Sequence, residues 1–353
     1  MSGAGDQSGP FVIRLAAPGD LAGFFELAKL TGPGFTTLIA DEKKLTQLLE
    51  ASERAAKGEP GSIMLALEDL STGRIAGCAA VKRGGKKRAG FANFQVQSDE
   101  TGKPRSLTIT DAYSDLTEIG GLFVHPDYRS MGVGKALAQS RYLYVAAAPQ
   151  TFGAQLFAEL RGVIDEDGVS PFYDAACKPS LRMTFAEADR LCAAGENDRL
   201  VAGLPKGPIS TKGFPAEALA AIGGCHTSGR AAQAMLAREG FRFEGIVDLL
   251  DGGALVAVET AALASLKESR LLRIKSSGLF PKTASLLFAT AQPDGFRCVA
   301  GRGAIIENMV MCCPETAAAL EVAEDAIVRV TPLASREAVN EKPSLSPLHP
   351  RAL

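Results

Sequence analysis

Residues Glu118 to Ser140 read EIGGLFVHPDYRSMGVGKALAQS. The run opens as a short apolar strand, Ile119 to Val124, turns at Pro126-Asp127 and crosses Arg129-Ser-Met-Gly132-Val-Gly134-Lys135. A helix with apolar residues at helical spacing follows. Strand, glycine loop and helix N-terminus in that order gather backbone N–H groups around a phosphate, because a helix's first turn has no intrahelical acceptors for them. Glycine in such a loop lets a pyrophosphate reach the backbone that a side chain would shield. The spacing matches neither G-x-G-x-x-G nor G-x-x-x-x-G-K-[ST]. It is R-x-x-G-x-G directly behind L-F-V-x-P-x-Y.

Around this stretch lie 353 residues, long enough for two domains with cores of their own. A hydrophobic share of 46% with 22% charged residues describes an ordinary globular chain. The net charge of −2 offers no electrostatic attraction to nucleic acid or to an anionic membrane. No apolar run reaches the ~18 residues that span a bilayer, and the first residues lack the apolar core of a signal peptide. Seven cysteines, with no C-x-x-C and one adjacent pair at Cys312-Cys313, predict reduced thiols in a cytoplasm and no zinc site.

Read in order, residues 1–10 form a disordered lead. Phe11 to Leu15 is a strand, and Pro18-Gly19-Asp20 opens a helix that turns Leu21, Phe24, Phe25, Leu27 and Ala28 inward. Thr31 to Leu38 breaks it. A second helix starts at Asp41-Glu42 with Leu45, Leu48 and Leu49 inward, and strands at 62–68 and 75–81 flank the turn Ser71-Thr-Gly73. The polar, basic, glycine-rich residues 82–107 are expected to hold edge strands. Beyond Gly245 short apolar runs punctuated by glycine and proline predict strands at 247–250, 255–259, 271–274, 285–290, 296–299, 304–306 and 326–330. A short helix falls near 260–269 and a helical turn at Ala317 to Val322. Such spacing reads as a small barrel or sandwich, and 334–353 as a flexible tail.

The loop run resembles the acyl-CoA pyrophosphate loop of the GNAT superfamily of N-acyltransferases, and the order of elements over about 11–145 agrees with it. Further runs sharpen the likeness: Glu159-Leu-Arg-Gly-Val-Ile-Asp-Glu-Asp-Gly-Val-Ser-Pro-Phe-Tyr173, Leu204-Pro-Lys-Gly-Pro-Ile, Ile222-Gly-Gly-Cys-His-Thr-Ser-Gly229, Ala234 to Phe241 and Asp248-Leu-Leu-Asp-Gly-Gly253. With Thr31-Gly-Pro-Gly they resemble, in collinear order over about 11–335, the arginine N-succinyltransferase family. Three departures stand out. The 82–115 segment is shorter and differently composed, His226 sits in C-H-T-S where the family has V-H-P, and the tail after Leu333 is extra. The resemblance implies an α+β chain: a GNAT-like acyl-CoA N-acyltransferase domain at 11–245, then a β-rich C-terminal domain at 246–333.

It also implies the activity, succinyl transfer from succinyl-CoA to the α-amine of L-arginine by direct attack in a ternary complex. Succinyl-CoA is then a co-substrate, and no tightly bound cofactor or metal is expected. A homo-oligomer, or a heteromer with a paralogous subunit, is the implied assembly. Such chemistry needs a donor for the thioester's developing oxyanion and a base for the largely protonated amine. By resemblance a backbone N–H at Leu122, Phe123 or Val124 meets the thioester oxygen, while Arg129, Gly132, Gly134 and Lys135 hold the CoA phosphates.

Two residues are candidates for the base. The resemblance gives His226 proton transfer, and its ordinary pKa of ~6.5 suits that work; the bland alternative is a histidine capping the next helix. Glu118, where many GNAT enzymes place a carboxylate base, is the second, with a carboxylate serving only the sheet as its bland counterpart. Cys225 beside His226 is no thiol partner, since adjacent residues of an extended chain face opposite ways. His125 is expected to be solvated. Thr31, Gly32, Asp165 and Glu166 are candidates for the acceptor's shell, the acids because carboxylates pair with guanidinium; Asp167 does not match the family run. Open alternatives are ornithine or another amine as acceptor, acetyl-CoA as donor, and a non-catalytic paralogous subunit.

Overall fold

A computed structural model describes residues 11–333 apart from 33, 34, 36, 86, 89 and 279–282. The expected disordered lead and flexible tail lie outside the described residues. β1 (Phe11–Leu15) buries Val12 and Ile13. In α1 (Leu21–Leu30), Phe24, Leu27 and Ala28 recur at i, i+3 and i+4 and are buried together. α2 (Glu42–Ala56) starts where the Asp41 carboxylate accepts from the Lys44 amide. β2 (Ser62–Asp69) and β3 (Arg74–Lys82) form the expected hairpin.

Next come β4 (Asn93–Ser98), β5 (Pro104–Thr110), β6 (Thr117–Val124), α3 (Val133–Ala147) and β7 (Gln155–Glu159). Helices α4 (Pro171–Ala176), α5 (Lys178–Leu181), α6 (Phe185–Ala193) and α7 (Asn197–Gly203) precede β8 (Ile209–Ser210) and α8 (Ala216–Ala221). The chain continues through α9 (Arg230–Glu239), β9 (Arg242–Asp248), β10 (Ala254–Glu259) and α10 (Ala264–Lys267). Last are β11 (Arg270–Ser276), β12 (Ala284–Thr290), β13 (Arg297–Ile306), β14 (Met309–Cys312), α11 (Pro314–Leu320) and β15 (Ile327–Pro332). Among the described residues no helix is long and apolar enough to cross a membrane.

These elements form two compact units, each assembled from non-consecutive segments. The first takes residues 11–83, Ile119–Phe152 and residues 261–333. In it α1 and α2 cover β2 and β3 through a core of Phe24, Leu27, Leu45, Leu49, Met64 and Cys78. β12, β15, β11, β14 and β13 pair in that order, and a β12–β13 pairing closes them into a small barrel. The second unit takes Gly84–Glu118 and Gly153–Thr260. Its strands run β7-β10-β9-β4-β5-β8, packed on α4 and its neighbours through Phe94, Leu107, Phe172, Tyr173 and Leu250.

The α+β class and the C-terminal barrel agree with the sequence, and several details correct it. β4 and β5 are not edge strands, because β4 pairs with β9 and β5 with β8, leaving two-residue β8 at the edge. The strands expected at 296–299 and 304–306 are one strand, β13. Gly301 and Gly303 read as punctuation, yet they lie inside it because a Cβ would stand 2.7 Å from Thr316 Oγ1 or from the Met311 carbonyl. β14 was not expected at all. The helical turn expected at Ala317 begins earlier, at Pro314, a residue suited to a helix's first position.

Candidate active site

In the first unit β6 ends at Val124, and a 3-10 turn over Pro126–Met131 leads to Gly132. Gly132, at φ 76°, turns the chain into α3 as its N-cap. Only a residue tolerant of the left-handed region fits there. The Lys135 amide donates to the Gly132 carbonyl at 3.2 Å, tightening the helix's first turn. A Cβ on Gly132 would meet nothing within 4 Å, and one on Gly134 only Val124 Cγ2 at 3.6 Å. Arg129 is tied to the strand end: its Nε donates to the Val124 carbonyl at 3.1 Å, and its guanidinium lies 5.6 Å from the Phe123 ring centre.

Leu122, Phe123 and Val124 are half-buried on β6. Just before them Gly121 takes φ 58°, a left-handed turn that suits glycine, and a Cβ there would also lie 2.9 Å from the Ala80 Cβ. Thr31 closes α1, its hydroxyl donating to the Ala28 carbonyl at 2.8 Å, and the Gly32 carbonyl accepts from the Phe35 amide at 3.3 Å. His125 is not solvated as expected. Its side chain is 13% exposed, and Nδ1 accepts the Asp127 amide at 3.2 Å as a cap on the 3-10 turn.

In the second unit His226 also caps a 3-10 turn, over Thr227–Gly229. Nδ1 lies 2.7 Å from Ser228 Oγ and 3.3 Å from the Ser228 amide that donates to it. The His226 amide donates to the Arg161 carbonyl at 2.8 Å. Cys225 turns its thiol to the His226 carbonyl at 3.4 Å, and burial pushes that thiol up from its ordinary range. Neither observation suits a nucleophile.

The Arg161 guanidinium reaches Asp189 at 3.1 Å and Asp251 at 3.3 Å. Asp251 is 2% exposed. Burial, then the neighbouring Asp248, push its carboxyl up to about 8 against the pull of Arg161. Glu159 is raised well above the carboxylate range, first by desolvation and then by Asp248, Glu118 and Asp251. Its residue surface is nonetheless exposed, so it is a carboxyl crowded by protein that still meets solvent. Glu118 forms an ion pair with Arg88. The rest of that guanidinium donates to the carbonyls of Ser114 at 3.0 Å, Leu116 at 3.1 Å and Tyr113 at 3.3 Å. Phe91 and Phe157 flank it at 4.6 and 5.1 Å. Asp165 spends its Oδ1 on its own loop, accepting the amides of Asp167 at 3.0 Å and Val169 at 2.8 Å, while Glu166 is exposed. Among the described residues no His, Cys, Asp and Glu group is placed to hold a metal.

The sequence model of the family described as "Arginine N-succinyltransferase beta subunit" matches residues 11–265. The chain belongs to the arginine N-succinyltransferase family. Like the family it is an acyltransferase. An "Arginine N-succinyltransferase" of Enterobacter sp. (strain 638) is 33% identical over 302 residues, 82% of this chain and 88% of that one. An "Arginine N-succinyltransferase subunit beta" of Pseudomonas aeruginosa is 31% identical over 338 residues, 92% of this chain and 99% of that one. The solved structure of "arginine/ornithine succinyltransferase subunit AI" from Pseudomonas aeruginosa superposes with a TM-score of 0.80 at 25% identity. It covers 93% of this chain and 100% of that one.

The residues that sequence reasoning left unassigned are Arg88, Glu159, Arg161, Asp248 and Asp251. Four of them stand in runs that carry the family resemblance. Sheet pairing brings them together: Leu255 lies opposite Glu159 and Ala254 opposite Val247, with the Asp248 amide donating to the Gly253 carbonyl at 2.8 Å. The available signal was acids placed beside glycines at the ends of two strands.

Proposed function

We propose that this chain transfers succinyl from succinyl-CoA to the α-amine of L-arginine, giving N2-succinylarginine and free CoA by direct attack in a ternary complex. Gly134 is the observation that carries the donor half. Its backbone is outside the left-handed region and its surroundings are open, so the fold itself demands no glycine there. In a helix glycine is worse than alanine by ~1 kcal/mol. A pyrophosphate reaching the first-turn amides of α3 does demand it. In this reading Arg129, Gly132, Gly134 and Lys135 hold the phosphates, and the N–H groups at Leu122, Phe123 or Val124 face the thioester oxygen.

Proton removal from the amine falls to His226 in preference to Glu118. The Arg88 pairing and its three backbone carbonyls give Glu118 a structural task, whereas His226 has only its Nδ1 engaged in the described contacts. Thr31, Gly32, Asp165 and Glu166 remain the candidate acceptor shell. The seven unpaired cysteines suit a reducing cytoplasm, and the subunit names of the relatives favour a homo-oligomer or an assembly with a paralogous subunit.

The test is release of free thiol across succinyl-CoA and acetyl-CoA, each against arginine and ornithine. The expected outcome is the highest kcat/KM for succinyl-CoA with arginine. Preference for acetyl-CoA or for ornithine would move the reading to that substrate, and no release from any pair would make the chain a non-catalytic subunit.

A further inference from the structure

A histidine that accepts a proton at Nε2 must first carry its own proton on Nδ1, and the imidazolium it becomes needs an acceptor there. The two described histidines cap 3-10 turns in the same way, each taking the amide two residues on. That amide alone favours the wrong tautomer, because an N–H directed at Nδ1 requires a lone pair on it and leaves the proton on Nε2. His226 differs in having a hydroxyl: Ser228 Oγ stands 2.7 Å from Nδ1, closer than the amide at 3.3 Å. Oγ can donate or accept. As an acceptor it takes the Nδ1 proton in exchange for the longer amide bond, turns the Nε2 lone pair outward and then stabilises the imidazolium.

We infer that Ser228 is a positioning residue for the transfer, holding His226 in the tautomer whose Nε2 accepts the amine proton. The inference rests on the reading of His226 as base. Removing the hydroxyl leaves Nδ1 facing only a backbone donor. The neutral ring is then held with its proton on Nε2, and the imidazolium meets a donor where it needs an acceptor. A purely structural serine, serving the turn alone, would leave turnover nearly untouched, since the turn's own amide bonds remain: Gly229 donates to the His226 carbonyl at 2.9 Å.

The experiment compares Ser228→Ala, Ser228→Thr, His226→Asn and the double variant Ser228→Ala/His226→Asn by steady-state kinetics and thermal melts. It adds 15N spectra of the full chain labelled at histidine. Ser228→Ala should lower kcat about ten- to a hundred-fold, within the range of general base contributions, with KM for succinyl-CoA unchanged. Ser228→Thr, which keeps the hydroxyl at an exposed position, should restore most of the turnover. In the His226→Asn background Ser228→Ala should cost nothing more. The parent spectrum should show Nε2 of neutral His226 unprotonated, and Ser228→Ala should reverse that. Parent-like kcat in Ser228→Ala, no recovery in Ser228→Thr, an added loss in the double variant, or a protonated Nε2 in the parent would each overturn the inference. Parent-like turnover in His226→Asn itself would instead remove the base reading beneath it.

Discussion

Glycine does opposite work in the two units. At the N-terminus of α3, Gly132 and Gly134 face open space, and a methyl added at either would find no neighbour nearer than 3.6 Å. In the second unit Gly162, Gly252 and Gly253 are packed so closely that a Cβ would run into the Asp251 backbone, the Phe172 ring and the Leu160 carbonyl respectively. The first pair leaves room for something outside the protein, while the second set lets protein approach protein. On paper G-x-G and D-G-G look alike. What separates them is whether the space beside the glycine is already filled.

That contrast can be broken by filling each space in turn. The largest effect is expected at Gly253→Ala, whose methyl meets the Leu160 carbonyl and the Gly162 amide rather than a side chain that could swing away. Backbone must move, at about 3 kcal/mol or more. Thermal melts should show the midpoint down by about 10 °C, or no soluble protein. A variant that melts with the parent would mean that the close packing of this run is not what fixes its glycine.

Gly134→Val should behave in the reverse way. The melting temperature should hold, while KM for succinyl-CoA rises about ten- to a hundred-fold, the cost of losing one or two hydrogen bonds to a charged phosphate. Gly132→Val is a poorer probe, because φ 76° makes any β-branched residue strained whatever binds there. Unchanged affinity in a stable Gly134→Val would show that the open space beside the loop is not where CoA binds.

A pH profile sharpens the second unit's side of the comparison. Close packing there buries Asp251 and raises its carboxyl to about 8, first by desolvation and then by Asp248, with Arg161 opposing and with Glu159 and Asp189 near the same guanidinium and acids. The folded chain therefore keeps a proton that the unfolded chain releases near pH ~4. Between these values the unfolded state binds fewer protons, so stability falls as pH rises, by up to about 1.4 kcal/mol per pH unit. Asp251→Asn should flatten that slope in melts recorded from about pH 5 to pH 8. Stability that instead stays flat over this range in the parent would mean that the folded form is the charged Asp251–Arg161 pair.

Much of the first unit was legible because its signals are local. Asp41 caps α2, Ser71-Thr-Gly73 turns a hairpin, and Gly132 needs no distant partner to adopt φ 76°. The acids of the second unit were legible as residues and not as a group. Nothing adjacent to Glu159 in the chain announces Asp248 or Asp251, about ninety residues on, until β7 and β9 flank β10. The same limit hid the partial burial of His125, the inner place of β4 and the continuity of β13 through Gly301 and Gly303.

The sequence by itself determined the family, the α+β order of elements and the strand, loop and helix around Gly132, since each depends on residue types at short spacing. Only the tertiary structure decided which charges meet. Arg88 pairs with Glu118, and Arg161 stands between Asp189 and Asp251. Turns and helix starts are set by the backbone preferences of neighbouring residues, whereas the proton affinity of a buried carboxyl depends on burial and on charges that sheet pairing brings in from elsewhere in the chain.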